Sequence, residues 1–340
     1  MNGPTGGEDR PASHQERQPG MTRPDAGEAV VGYGGQSLVA PRLSILDQSP
    51  IGEGSTAGEA LRASVELAEA ADELGVTRYW VAEHHGSPGF AGTAPEILVP
   101  IILGATRRMR VGSGGVLLPR YPATKVAEVF SILADLYPGR VDLGLGRAGG
   151  PPETFPADVA DLRRWLGDDP HLWVLGASAS SGALAAKLGT AYAYAHFLNP
   201  GPGLESMTAY HEASPAPSSA LAVRVIVADT ESHANDLAAS LLLWRSRKDL
   251  GDDRPLPSIE TARNHRWTSA ELERASYNSK ALISGTPDQV APILSDLAYL
   301  HGTDELVVNV LTHDPADRLR TYQLLAQVLG AASTVGTGAR

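Results

Sequence analysis

A chain of 340 residues, 42% hydrophobic and 20% charged, holds enough apolar material for one large domain and lacks the composition of a disordered protein. Cysteine is absent, which excludes disulfides, thiolate metal sites and a cysteine nucleophile. A formal net charge of −11 without a basic cluster argues against nucleic acid and anionic membrane as partners.

Residues 1–40 are rich in Gly, Pro and charge and show no apolar period, so a disordered N-terminal tail is expected, with Met21 as an alternative start. This end lacks the apolar core of a signal peptide, and the longest apolar run, Ile97 to Ala105, is too short to span a bilayer. A cytoplasmic location is expected. Residues 41–331 read as one domain and 332–340 as a second flexible end.

Within the domain, apolar runs alternate with amphipathic stretches. The first run, Arg42–Asp47, is followed by a capping box at Thr56 and Glu59 and by Leu61, Val65, Ala68 and Leu74 on one helical face, with Gly75 as the stop. Further runs are Arg78–Glu83, Arg110–Leu118, Arg140–Gly146, Leu172–Ala177, Ala191–His196, Ala220–Ala228 and Asp304–Val310. They are near-continuous rather than alternating, as parallel strands buried on both faces require. Thr286-Pro287-Asp288-Gln289 opens another helix and Asp314-Pro315 the last one. Eight strands alternating with helices match a (β/α)8 TIM barrel, and a doubly wound open sheet is the alternative. Chemistry in a barrel sits at the C-terminal strand ends, and there the unusual residues collect: Asp47-Gln48, Glu83-His84-His85, Gly146-Arg147, Ser178, His196 and His313.

Glu83-His84-His85 closes the second strand. Adjacent histidines on a strand face opposite ways and make a poor metal pair, whereas one imidazole at a barrel mouth suits acid–base work near neutral pH; a structural histidine is the bland reading. Gly112-Ser113-Gly114-Gly115 puts three glycines inside a strand, which marks either a bulge or a close approach to a flat ligand. Gly144-Leu145-Gly146-Arg147-Ala148-Gly149 formally fits a dinucleotide fingerprint, but Gly150-Pro151-Pro152 stands where a helix must begin. The better reading is a glycine-lined strand end presenting Arg147 to phosphate. Gly176-Ala177-Ser178-Ala179-Ser180-Ser181 then joins strand to helix, either as a plain N-cap or as an anion site, and Arg147 on the preceding strand end favours the anion.

In order and content, Leu46-Asp47-Gln48-Ser49-Pro50, Trp80–His85, Val111–Pro119, Pro138–Arg147 and the Ser178–Ser181 turn resemble the bacterial-luciferase-like flavin-dependent monooxygenases over about Pro41 to Gly330. The resemblance implies a luciferase-like barrel that binds reduced FMN, or in one branch the deazaflavin F420. It implies that Arg147, Ser178 and Ser181 hold the flavin phosphate and that Gly114-Gly115 is a non-proline cis peptide behind the ring. It gives His84 a role in oxygen or hydride chemistry, with the acidic Glu83 beside it. A small organic substrate, a flavin reductase that supplies reduced FMN, and a homodimeric assembly follow from the same resemblance. The substrate pocket is expected on loops near His196, Trp244 and His313. One departure is visible: the family commonly has a longer roofing segment after the fourth strand, whereas here a single short helix, Asp158 to Leu166, fills the space before Leu172. Two alternatives to an FMN monooxygenase therefore stand, an F420-dependent oxidoreductase and a non-catalytic flavin binder of the same fold.

Overall fold

The computed structural model describes residues 40–166 and 171–329; the expected tails lie outside the described residues. In chain order the elements are β1 (Arg42–Asp47), α1 (Ala57–Glu73), β2 (Arg78–Val81), α2 (Pro95–Ala105), β3 (Arg110–Leu117), a 3-10 turn (Leu118–Arg120), α3 (Ala123–Leu136), β4 (Val141–Gly146), α4 (Phe155–Leu166), β5 (His171–Gly176) and α5 (Ser181–Leu188). There follow β6 (Ala191–Ala195), α6 (Gly203–Ala213), β7 (Ser219–Val227), α7 (Glu231–Asp249), α8 (Ile259–Asn264), α9 (Ser269–Ser279), β8 (Leu282–Gly285), α10 (Pro287–Leu300), β9 (Glu305–Asn309) and α11 (Pro315–Leu329).

Strands β1 to β7 and β9 close into a ring of eight parallel strands, β9 joining β7 to β1. These are the runs expected from the sequence, and the ring is a (β/α)8 barrel. Continuous apolar strands are explained by two cores. In β7, buried at every position, Leu221, Val223 and Val225 face the helices, while Ala220 and Ala222 pack inside the ring with Leu46, Trp80, Trp173 and Val307. The first helix begins as its capping box dictates: Glu59 N–H donates to Thr56 Oγ1 (3.2 Å) and Thr56 N–H to Glu59 Oε2 (2.8 Å).

Buried charge closes the N-terminal end of the ring. Arg78 on β2 donates to Asp142 on β4 (2.8 Å) and to Glu305 on β9 (2.5 Å). Asp142 also takes Arg110 Nε (2.7 Å) and Trp80 Nε1 (3.0 Å), and Glu305 takes Ser44 Oγ (2.6 Å). Burial alone would depress the Arg78 guanidinium; the charges of Asp142 and Glu305 override it and hold its pKa above the ordinary value.

One region differs from the sequence expectation. Between β7 and β8 the helices α7, α8 and α9 form an insertion, and β8 is an extra strand paired with the Arg224–Val227 end of β7. The insertion lies against loops at the C-terminal strand ends. Leu256 exchanges backbone hydrogen bonds with Ile51 and Glu53 (both 2.8 Å), and Lys248 Nζ donates to Ser87 Oγ (2.8 Å). Beneath it Phe90, Ile226, Leu237, Leu241, Trp244, Leu256 and Leu311 form a separate apolar cluster. The ring is thus roofed over β1, β2, β7 and β9 from a different segment than the short one after β4. No helix among the described residues is long and apolar enough to cross a membrane.

Replacing Asp142 by Ala should take one of two carboxylates from buried Arg78 and the only carboxylate from half-buried Arg110, and lower unfolding free energy by about 3–5 kcal/mol in urea denaturation. A loss of about 0.5 kcal/mol, the scale of a surface substitution, would show that the floor does not hold the barrel.

Candidate active site

With the floor filled, the interior opens at the C-terminal strand ends. A cleft of about 760 Å³ lies there, and Glu83, His84, Gly114, Gly115, Arg147, Ser178 and Ser181 all line it. Its wall at β3 is bare backbone. The Gly114–Gly115 peptide is cis, and the β3–β4 register shifts between Gly114 and Val116. A Cβ on Gly114 would lie 2.7 Å from Leu46 Cδ1, and one on Gly115 would lie 2.6 Å from Gly144 O. Bulge and flat surface are therefore the same feature, and no side chain is tolerated at either position.

At the lip, the chain turns sharply after β4, with Ala148 and Gly149 at positive φ (44° and 80°). Arg147 is exposed and its Nη1 donates to Gly150 O (2.7 Å), which leaves most of the guanidinium fork without a partner among the described residues. The serine turn faces the same cleft. Ser180 is the N-cap of α5 but makes no side-chain cap; its Oγ lies 3.3 Å from Ser178 Oγ. Ser181 is turned inward: its hydroxyl donates to Ser178 O (2.6 Å) and meets Tyr192 OH (2.9 Å), which in turn meets Ser206 Oγ (2.8 Å). Ser181 thus fastens the turn, while Ser178 and Ser180 offer free hydroxyls beside an uncapped helix start.

A family model for luciferase-like monooxygenases matches residues 42–166. YwcH, an uncharacterized protein of Bacillus subtilis (strain 168), is 39% identical over 84% of this chain and 98% of its own length. A luciferase-like monooxygenase of Escherichia coli (strain K12) is 31% identical over 84% of this chain and 96% of its own. The chain belongs to the luciferase-like monooxygenase family. The solved structure of apo-MsnO8 shares 37% identity, covers 87% of this chain and 99% of its own, and superposes with a TM-score of 0.80. Two more distant structures share the fold alone: an FMN complex of the oxygenating constituent of 3,6-diketocamphane monooxygenase from Pseudomonas putida (17% identity, TM-score 0.65) and an F420-dependent secondary alcohol dehydrogenase (14%, 0.61).

In this luciferase-like monooxygenase Glu83, His84 and His85 lie in the loop after β2, which ends at Val81, rather than in the strand as expected, and their side chains point to different partners. Both Glu83 oxygens are taken, Oε1 by His85 Nε2 (2.6 Å) and Tyr121 OH (2.7 Å), Oε2 by the Leu117 N–H (2.9 Å). Glu83 therefore holds the end of β3 in place and makes no hydrogen bond to His84. His84 Nε2 lies 3.1 Å from Gln48 Nε2, and its ring stacks on Phe90 at 4.4 Å. His84 Nδ1 and Gln48 Oε1 are buried without a partner. Burial, then the positive charge of Lys248, pushes the His84 pKa down to about 4.

The sequence did not single out Arg120 and Ser180, which also line the cleft; Arg120 sits on a short 3-10 turn with no motif around it. Of the loops expected to form the substrate pocket, the one after His196 reaches the cleft through Phe197 and Leu198, whereas His196, Trp244 and His313 themselves are not in its lining. Trp244 is buried on α7 with Nε1 donating to Arg254 O (2.9 Å), His313 Nε2 is 3.0 Å from Glu53 O, and His196 is buried edge-on to His301. They fasten the roof and the lower wall. Asp47, also at a strand end, is a buried anchor for Arg318 (2.8 Å) and Tyr79 OH (2.7 Å). Among the described residues no group of His, Cys, Asp and Glu could hold a metal.

The depressed His84 pKa has a signed consequence. An unfolded histidine takes a proton near its ordinary 6.5, whereas the folded imidazole refuses it until about 4. Stability is therefore lost as pH falls through that window. His84→Gln should flatten the fall in melting temperature between those pH values, and NMR titration of the wild type should show His84 neutral throughout most of the range. A His84 titrating at 6.5 in the folded protein would contradict the geometry.

Proposed function

We propose that this chain is a monooxygenase that takes reduced FMN from a separate reductase and uses it with O2 to oxidise a small organic substrate. One juxtaposition carries the reading. A single cleft combines a side-chain-free wall at Gly114–Gly115, an anion-receptive lip at Arg147, Ser178 and Ser180, and a neutral imidazole, His84. The residues fit FMN by chemistry. The uncapped start of α5 and the free guanidinium fork suit a phosphate, and the glycine wall suits a flat ring. The unpartnered His84 Nδ1 and Gln48 Oε1 suit polar atoms at the ring or substrate.

Bound reduced flavin supplies the two electrons that divide O2 between substrate and water. Arg147 and Ser178 hold the phosphate end, with Ser181 bracing the turn. His84, neutral at physiological pH, holds or releases a proton at Nδ1, and Gln48 orients its ring. The apolar cluster under the insertion keeps water from the His84 side of the mouth. A separate reductase follows from the glycine loop after β4: α4 begins only at Phe155, so no helix start stands where a nicotinamide dinucleotide needs one. FMN is favoured over F420 because relatives at 31% and 33% identity are named monooxygenases, and a deazaflavin exchanges hydride without activating O2.

Arg147→Ala should weaken FMN binding by about 2–3 kcal/mol and leave riboflavin, which has no phosphate, nearly unchanged in fluorescence titrations. Equal losses for both would remove Arg147 from the phosphate site. His84→Ala should keep affinity for reduced FMN within about threefold. The same change should slow substrate oxygenation by about 10²–10⁴-fold and divert reduced FMN to hydrogen peroxide. Reoxidation of reduced FMN at the free-flavin rate in wild type and variant alike would indicate a passive binder, and binding of F420 in place of FMN would indicate a hydride-transfer enzyme.

A further inference from the structure

Arg224 on β7 is a buried cation with no anionic partner. It follows the inward alternation of Ala220 and Ala222, while Val223 and Val225 face the helices. Its relative exposure is 8%, and its Nε donates to Asn309 Oδ1 (3.0 Å). Asn309 is itself fixed by Nδ2 donating to Leu46 O (3.1 Å), and the guanidinium lies over the Phe197 ring at 5.0 Å. The barrel's other deeply buried arginines are paired, Arg78 with Asp142 and Glu305, Arg318 with Asp47. Arg224 has no carboxylate within ion-pair distance among the described residues.

The charges facing it do not compensate. From α7 come Arg245 and Asp249, but Asp249 is already shared by Arg245 (2.9 Å) and Arg274 (3.3 Å). Lys248 is paired with Asp253 (2.6 Å), and from the loop after β2 comes His84, neutral. A buried guanidinium held by one amide and one ring is costly unless something anionic joins it. Burial, then Arg245, pushes its pKa down to about 9, so it remains charged at neutral pH.

Its position says which anion. Arg224 is itself outside the cleft lining, but Phe197, whose ring the guanidinium covers, lines it, as do Ala222, two residues earlier on the same inward face, and Val307, paired with Ala222 on β9. Counting round the closed ring, β7 is the fourth strand from β3 in either direction. Arg224 therefore stands across the barrel from the Gly114–Gly115 wall, on the side left for substrate once a ring lies against that wall. We propose that Arg224, oriented by Asn309 and Phe197, binds the carboxylate of the organic substrate, so that the enzyme acts on small organic acids. This rests on the cleft being the monooxygenase site. The other negative charge that could meet Arg224 is that of the reduced flavin ring itself, and the test separates the two.

The full-length protein is titrated with benzoate and with its neutral isostere benzamide, by ligand-observed NMR, with and without oxidised FMN. Wild type should prefer benzoate by about tenfold, as expected of a charge-assisted hydrogen bond. R224M should abolish the preference, R224K should retain part of it, and both should bind oxidised FMN as wild type does. Melting curves establish that each variant folds; if R224M does not, R224K carries the test through a reduced preference. No benzoate preference in wild type, or the same preference in folded R224M or R224K, overturns the proposal. A loss of reduced-FMN affinity in R224M with benzoate preference intact assigns the cation to the ring and also overturns it. Because the preference is measured without FMN as well, failure of flavin binding and failure of this inference are read separately.

Discussion

Everything at the mouth depends on how Asp142 closes the barrel below. Its carboxylate collects Arg78, Arg110 and Trp80 Nε1, and Arg78 passes the connection to Glu305, which holds Ser44. Five strands, β1, β2, β3, β4 and β9, are tied to one another by these side chains. Removing charges from water is costly, and here the geometry answers it with a guanidinium shared between two carboxylates. A closed floor has a direct functional result: the cleft lies where the strands end, beside Arg147, Ser178 and His84.

The mouth is then treated unequally. Over β1, β2, β7 and β9 the insertion lays down an apolar cluster, with Arg224 and Asn309 buried and His84 half-buried against Phe90 of that cluster. Over β4 and β5 the short connection after Arg147 leaves the guanidinium and the Ser178–Ser180 turn exposed. The asymmetry suits the two ends of the proposed flavin mononucleotide. A phosphate can remain partly hydrated at the rim, whereas oxygen chemistry needs its proton donors away from bulk water.

How much of this was legible follows from what kind of signal each part leaves. The eight barrel strands showed because a strand buried on both faces must be continuously apolar, as β7 is. The β3 wall showed because only glycine fits where a Cβ would meet Leu46 Cδ1 or Gly144 O. The insertion did not show: Leu241, Leu242, Leu243 and Trp244 are all buried, so α7 has no single apolar face and no helical period to read. Side-chain direction was also hidden. Glu83 and His84 look like a pair in sequence, yet one points at His85, Tyr121 and Leu117 and the other at Gln48 and Phe90. Likewise Ser181 supports the turn that Ser178 and Ser180 present. Arg224 did leave a trace, a lone charge in the middle of the apolar run Ala220–Ala228, but only the absence of a carboxylate around it gives that charge a meaning.

The two neighbouring histidines show how one fold can give identical side chains different work. His85 is half-exposed and bonded to the Glu83 carboxylate, so its place is in the scaffold that positions β3. His84 is half-buried, bonded to a neutral amide and near the cations Lys248 and Arg224, and burial and these charges together disfavour a further positive charge. The same cations that keep the imidazole neutral favour any negative charge that enters beside it. A carboxylate on Arg224 would weaken the electrostatic penalty on protonating His84 and draw its pKa back toward the ordinary range. Substrate binding would then change the acid–base character of the one ring nitrogen left free for chemistry. With a carboxylate on Arg224, recognition and proton transfer at this mouth would be coupled through charge balance.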